Sequence, residues 1–181
     1  MTTRFTTENF ADFETSIRGF IAEVANAGLA QDSDDRIKVI PGNSNYQPPA
    51  GLYGSLLLMT DIGDGWPSVR SGENDDAQRV DRTATYSLQF YRDGAMAAMM
   101  KFTGLMHADL WVDRAAARGF RIDWNGNVRR IDSFIESFSE QFEERAAVDL
   151  TVRYMQYSRV DSGRVDIVPL IANGESQNVG E

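Results

Sequence analysis

Two long segments of alternating apolar and polar residues constrain the fold of this chain more than any other feature of its sequence. In the first segment, 80–91, the even positions from Ala84 onwards are apolar and the odd positions between them are polar. The second segment, 142–157, has apolar side chains at the even positions from Ala146 to Tyr154, with Asp149, Thr151 and Arg153 on the other face. Such alternation is typical of strands with one buried face, and a register slip of one residue would expose every apolar side chain. Both segments are therefore predicted to be long strands lying side by side at the centre of one sheet.

Three other segments have the spacing of helices. At 8–27, apolar residues recur every three or four positions and form one stripe, which Gly28 would end. A second helix is predicted at 95–102, directly after the first long strand, with Asp93 as its N-cap. It is apolar on nearly all sides, so it should be buried. A third helical piece covers 106–118.

Shorter strands complete the predicted sheet. One is expected at 36–40, and the apolar run at 56–59 is what a strand covered on both faces would show. A hairpin is predicted at 119–131 around an Asn-Gly pair, and a last strand at 164–171. Residues 131–142 are ambiguous: periodicity alone favours a helix, whereas Phe134, Glu136 and Phe138 could also lie in a strand, so both remain open.

Taken together, these elements predict an α+β fold. We expect a single domain over residues 1–172, with a mostly antiparallel central sheet and helices packed on one face, because 181 residues suffice for one well-buried core. Residues 173–181 should form a disordered C-terminal tail.

Composition narrows the classes of function. The chain has no cysteine, so it can form neither a disulfide nor a thiolate metal site. No apolar run reaches the roughly 20 residues of a membrane span, and the first ten residues lack a signal core, so we expect a soluble protein with no membrane partner. A net charge of −9 argues against a protein that coats nucleic acid.

No motif in the sequence predicts catalysis, and we expect no catalytic, cofactor-binding or metal-binding residues. The adjacent carboxylates Glu143 and Glu144 would point to opposite faces of a strand and could not act on one bond. The acidic turn at 31–35 lacks the spacing of a calcium loop.

Three stretches of this sequence carry a resemblance to a known family. YSLQFYRDGA at 86–95, FEERAAVDLTVRY at 142–154 and the proline-rich PGNSNYQPPAGLYGSLLL at 41–58 are similar to segments of the tail terminator, or neck, proteins of long-tailed bacteriophages. In that family an EERA-type corner leads into a long strand. The similarity spans residues 36–157.

The resemblance implies a structural virion protein without enzymatic activity or cofactor. Such a protein forms a ring, typically of six copies, that caps the tail tube, ends its polymerisation and offers a surface to the head connector. Its partners would be other copies of itself, the tail tube protein and a head-completion or connector protein, with DNA only passing through the channel. It would reside in the tail or neck of the virion after assembly in the host cytoplasm. Two alternatives stay open: a head-completion or connector subunit, and an α/β module that binds a small ligand or peptide.

Charged residues supply the candidate contacts. Those flanking the long strands could bind a neighbouring subunit or partner, or could pair within the fold: Arg92, Asp93, Glu143, Glu144 and Arg145. The segment 61–79 is predicted as a long acidic loop, whose carboxylates would face the channel lumen, a partner ring or the outer rim: Asp61, Asp64, Glu73, Asp75 and Asp76. The segment 112–130, with five arginines and two aspartates, could bind nucleic acid or could attract acidic strand edges of a neighbouring copy in a ring contact that salt weakens.

Overall fold

The computed structural model describes residues 5–6, 10–31, 33–43, 47–70, 76–124, 127–131, 133–134 and 142–160. Within them the elements follow in the order β1 Phe5–Thr6, α1 Phe10–Ala25, β2 Lys38–Pro41, β3 Tyr53–Arg70, β4 Asp76–Tyr91, α2 Ala95–Leu105, α3 Asp109–Ala117, β5 Phe120–Trp124, β6 Arg129–Arg130, β7 Ser133–Phe134, β8 Phe142–Glu143 and β9 Arg145–Val160. The strand predicted at 164–171 and the tail at 173–181 lie outside these residues.

The two alternating segments form neighbouring strands, as predicted. β4 and β9 pair antiparallel without interruption, from Asp76 opposite Val160 to Tyr91 opposite Arg145. In this register the alternating apolar residues predicted from the sequence share one face, and they are buried: Ala84, Tyr86, Leu88 and Phe90 with Ala146, Val148, Leu150, Val152 and Tyr154.

The remaining strands extend this pair on both sides. β3 lies antiparallel on the other edge of β4, and β2 continues the sheet parallel to β3. The free edge of β9 is lined in succession by β6, β5 and β1. The hairpin predicted at 119–131 is therefore wrong, because β5 and β6 pair with β9 rather than with each other. From Trp124 to Arg129 the chain advances five residues while the partner positions on β9 advance three, from Leu150 to Ala147.

All three helices pack on the apolar face of the sheet. Phe13 of α1 lies 4.1 Å from the ring of Tyr154, measured between ring centroids, and Phe20 lies 5.6 Å from Phe120. Phe102 of α2 meets Phe90 of β4 edge-on at 6.5 Å. The predicted α+β fold, a mostly antiparallel sheet with helices on one face, is thus confirmed. Among the described helices, none is long and apolar enough to cross a membrane.

A β-bulge at Met59 changes which residues of β3 face the helices. Up to Leu58 the even positions do so, but Thr60 pairs with Thr85 and Asp61 with Ala84, so beyond the bulge the odd positions do. The prediction of a strand covered on both faces is wrong here, because 58% of Met59 is exposed.

The acidic loop predicted at 61–79 is also wrong in its described part. β3 runs on to Arg70 and β4 begins at Asp76, so 71–75 alone separate the two strands. The turn-forming residues of this segment predict a loop. The backbone is nevertheless strand, because β3 pairs with β4 and β4 pairs with β9.

For residues 131–142, the sequence leaves helix and strand both open. The described residues near both ends are strands, because β7 and β8 pair antiparallel. Residues 135–141 lie outside the described chain.

Candidate assembly surfaces

The charged corner between β4, α2 and β9 is held together by contacts within the fold. Arg92 has a positive φ of 78°, uncommon for a residue with a side chain, and its N–H donates to the carbonyl of Glu144 at 2.8 Å. Its guanidinium donates to the carbonyl of Ala50 and lies 3.9 Å from the carboxylate of Glu143. Arg92 therefore ties the proline-rich loop to the corner.

Glu144 caps the N-terminus of α2. Its carboxylate accepts the backbone N–H of Gly94 at 2.9 Å and that of Met96 at 3.1 Å. The prediction that Asp93 is the N-cap is wrong, because Gly94 occupies the N-cap position. Asp93 is exposed.

An aromatic ladder covers the outer face of the sheet beside this corner. The rings of Tyr53 and Tyr91 stack with centroids 4.9 Å apart, and the guanidinium of Arg145 lies 4.5 Å from the Tyr91 centroid. Burial raises the pKa of the Tyr53 hydroxyl, and the nearby carboxylate of Glu143 adds to that effect. Arg145 thus packs within the fold. Whether these corner residues also touch a partner stays a prediction.

The arginine-rich segment 112–130 is largely neutralised by the rest of the chain. Arg114 and Arg118 reach the carboxylate of Glu23 at 3.9 and 2.6 Å, and Arg129 reaches Asp149 at 2.9 Å. The predicted basic patch therefore offers less free charge than its composition indicates.

Asp61 lies in a polar network on the helix side of the sheet. Nε of Arg82 donates to both of its carboxylate oxygens at 3.1 and 3.2 Å, and the hydroxyl of Tyr154 donates at 2.8 Å. Burial raises the pKa of Tyr154, and its bond to Asp61 adds to the rise. Hydrogen bonding to Asp61 likewise raises the pKa of Arg82. The network closes the end of the apolar core.

The other predicted acids do not join Asp61. Asp64 is exposed on the outer face and accepts a hydrogen bond from Thr83. Glu73 and Asp75 lie outside the described residues, and Asp76 begins β4. The role predicted for these acids, at the lumen or against a partner, stays a prediction.

Beyond the Asp61 network the sheet continues as a thin extension. We call this the arm; it consists of residues 62–70 of β3, 76–81 of β4 and 155–160 of β9. None of its described side chains is fully buried, and Ile62 is 62% exposed. On the side away from β4, no described strand pairs with β3 beyond Leu56. At about 3.3 Å per residue, 62–70 extends roughly 30 Å past the core.

A groove between α1 and β2 is the second free surface, and sequence reasoning missed it. It has a volume of about 570 Å³, and its lining includes Arg18, Arg36 and Lys38. These cations come from a helix, a turn and a strand, so only the folded chain brings them together.

The described residues contain no cluster of three or more His, Asp or Glu side chains that could hold a metal ion. The fold instead offers a single body with a projecting arm and a charged groove. The family model described as phage neck terminator protein matches residues 11–177. The chain therefore belongs to the phage neck terminator family, and the resemblance found in its sequence is confirmed. It is a structural component of the phage neck or tail. A search of curated proteins finds no match.

Proposed function

We propose that this protein forms a ring of six copies that caps the finished tail tube, ends its polymerisation and provides the surface to which the head connector attaches. The family match over residues 11–177 is the observation that carries this proposal. The tail tube protein and a head-completion or connector protein are then its partners.

The shape of the subunit supports a ring. The arm leaves the body at one end of the long strands, whereas β2 and the groove lie at the other end, beside the start of β3. A contact between two different surfaces of the same subunit is heterologous, and such contacts close into a ring when the rotation between copies allows it. No cofactor is required for this assembly.

The charge of the chain suits a channel through which DNA passes. A net charge of −9 repels the phosphates overall, so the DNA would not be held during its passage. DNA is thus a passing contact in this proposal and not a bound partner.

The proposal is tested by removing the protein from a phage that carries it and restoring it from a plasmid. Without the protein, electron microscopy should show tail tubes of irregular, excessive length that carry no heads. Restored protein should return both tail length and head attachment. In vitro, purified protein added to polymerising tube protein should fix the final tube length.

Two outcomes would contradict the proposal. Tails of normal length that fail to join heads would support the alternative of a head-completion or connector subunit. Normal infectious particles in the absence of the protein would exclude both roles.

A further inference from the structure

The groove between α1 and β2 carries positive charge that the fold leaves free. Its lining includes three cations, Arg18, Arg36 and Lys38, and one carboxylate, Asp34. Arg18 donates to the hydroxyl of Thr15 and Arg36 to a backbone carbonyl. Within the described chain, none of these three cations forms an ion pair with a carboxylate. The groove therefore suits an acidic segment.

The β2 wall of the groove also has backbone groups directed outward. The buried carboxamide of Asn26 accepts the N–H of Ile37 at 2.7 Å and donates to its carbonyl at 2.9 Å. Asn26 thus makes with Ile37 the two hydrogen bonds that a neighbouring strand would otherwise make. On the opposite side, the N–H of Gly42 donates to Leu56 of β3. By the alternation of a strand, Val39 directs its N–H and carbonyl to the same side as Ile37, toward the groove.

The end of the arm has the complementary charge. Residues 71–76, SGENDD, contain three carboxylates, Glu73, Asp75 and Asp76, and no cation. In the sequence, residues 71–75 lie between Arg70, which ends β3, and Asp76, which begins β4. From Leu56, beside β2, to Arg70 the strand runs about 45 Å at 3.3 Å per residue. The end of β3 at Arg70 therefore lies far from the groove of its own chain.

We propose that the groove between α1 and β2 binds the acidic end of the arm, residues 71–76, from a second copy of the chain. This contact is head-to-tail, as a ring requires, and it rests on the ring proposed above. Carboxylates of residues 71–76 meet Arg18, Arg36 and Lys38, and Val39 on the edge of β2 offers hydrogen bonds to the incoming backbone.

Disulfide cross-linking tests this contact directly, because the chain has no cysteine of its own. The variant Lys38→Cys with Asp75→Cys should form a ladder of covalently linked multimers on oxidation, both in purified protein and in assembled particles. The matched control is Lys101→Cys with Asp75→Cys, because Lys101 is exposed on α2, away from the groove. If the two variants give equal amounts of multimer in assembled particles, the proposal is wrong.

A charge exchange gives a second, independent test. Lys38→Glu should weaken assembly, as should Asp75→Lys, and the double variant should assemble better than either single variant. Lys101→Glu is the control, and it should assemble like the parent protein. Equal melting temperatures would confirm that all variants fold. Failure of the double variant to recover would overturn the proposed contact, whereas parent particles that contain no oligomer of this protein would overturn the ring itself.

Discussion

Two tyrosines on the helix side of the sheet differ in the partners of their hydroxyl groups. Tyr86 is 1% exposed, and its hydroxyl has no hydrogen-bond partner among the described residues. Tyr154 is 6% exposed, and its hydroxyl donates to Asp61 at 2.8 Å. A buried polar group without a partner reduces stability, whereas a bond to a charged group increases it. Replacement of tyrosine by phenylalanine, which removes the hydroxyl, should therefore affect the free energy of unfolding differently at the two positions.

We expect Tyr86→Phe to leave the free energy of unfolding unchanged or to raise it by up to about 1 kcal/mol. Tyr154→Phe should lower it by about 1.5 kcal/mol, because Asp61 then loses a donor. Urea unfolding at neutral pH measures both. A larger loss for Tyr86→Phe than for Tyr154→Phe would show that the Tyr86 hydroxyl does have a partner.

Stability should also fall at alkaline pH. Burial raises the pKa of both tyrosines above the ordinary value of about 10, so the fold favours their neutral forms. This contribution is fully present below about pH 10 and is lost as the pH rises toward the folded-state pKa values, by up to about 1.4 kcal/mol per pH unit for each tyrosine. Urea unfolding between about pH 8 and 11 should show a shallower decline for Tyr86→Phe than for the parent. Identical slopes would contradict the burial of this group.

The adjacent glutamates of the corner provide a further comparison. Glu144→Ala removes the cap of α2 and should lower the free energy of unfolding by about 1 kcal/mol. Glu143→Ala, which loses only the contact with Arg92 at 3.9 Å, should cost less than about 0.5 kcal/mol. Thermal unfolding of the two variants distinguishes them. Equal losses would mean that Glu144 does not cap the helix.

At the scale of the secondary-structure elements, the bulge in β3 determines how the arm joins the body. The extra residue at Met59 lets Leu58 and Asp61 both face the helices, although they are three positions apart. Without it, Asp61 would point to the outer face and Arg82 would lose its carboxylate. The bulge therefore places the polar network at the end of the core.

Deletion of Met59 should accordingly be far more damaging than substitution at the same position. The deletion shifts the register of β3, turns its apolar residues away from the core on one side of the gap and separates Asp61 from the partly buried Arg82, so it should cost about 3 kcal/mol or more. Met59→Thr keeps the residue count and alters a side chain that is 58% exposed, so it should change stability by less than about 0.5 kcal/mol. Circular dichroism during thermal unfolding measures both. A deletion variant as stable as the parent would show that β3 re-pairs without cost.

The same elements show how far the sequence alone predicts the fold. Alternation in β4 and β9 predicts their faces correctly, because each strand keeps one side in the core throughout. Past Met59 the alternation of β3 changes phase and its residues become polar, so local pattern indicates a loop where pairing with β4 maintains a strand. The cap by Glu144 and the groove could not be predicted, since each joins residues far apart in the chain. Pairing of the charged corner within the fold is predicted as one alternative, but the particular partners, such as Glu144 with the N-terminus of α2, are not.

At the scale of the whole molecule, assembly and folding should respond differently to salt. The proposed contacts between copies would involve charges exposed to solvent before assembly, whereas the Arg82–Asp61 pair lies partly buried within the fold. Added salt shortens the screening length from about 10 Å at 0.1 M to about 3 Å at 1 M. At high salt, separate copies of the subunit therefore attract one another only weakly through their charges.

We expect the oligomer to dissociate as salt rises to about 1 M, while the melting temperature of the subunit changes by only a few degrees. Light scattering coupled to size-exclusion chromatography measures the mass, and calorimetry measures the melting. An oligomer indifferent to salt would mean that the contact is apolar, which would exclude a charge-based ring.

The position of β9 has a consequence for biosynthesis. This strand pairs with β1, β4, β5 and β6. Its Gln156 lies opposite Phe5, although most of the sequence separates these two residues. Because translation starts at the N-terminus, every strand that pairs with β9 leaves the ribosome before it. Translation proceeds at about 5–20 residues per second, so the apolar face of β4 stays unpaired for several seconds before β9 is synthesised. During that time chaperones can bind the nascent chain. A chain whose translation stops before residue 145 lacks the strand that closes the core, so truncated copies should be degraded and not built into a virion.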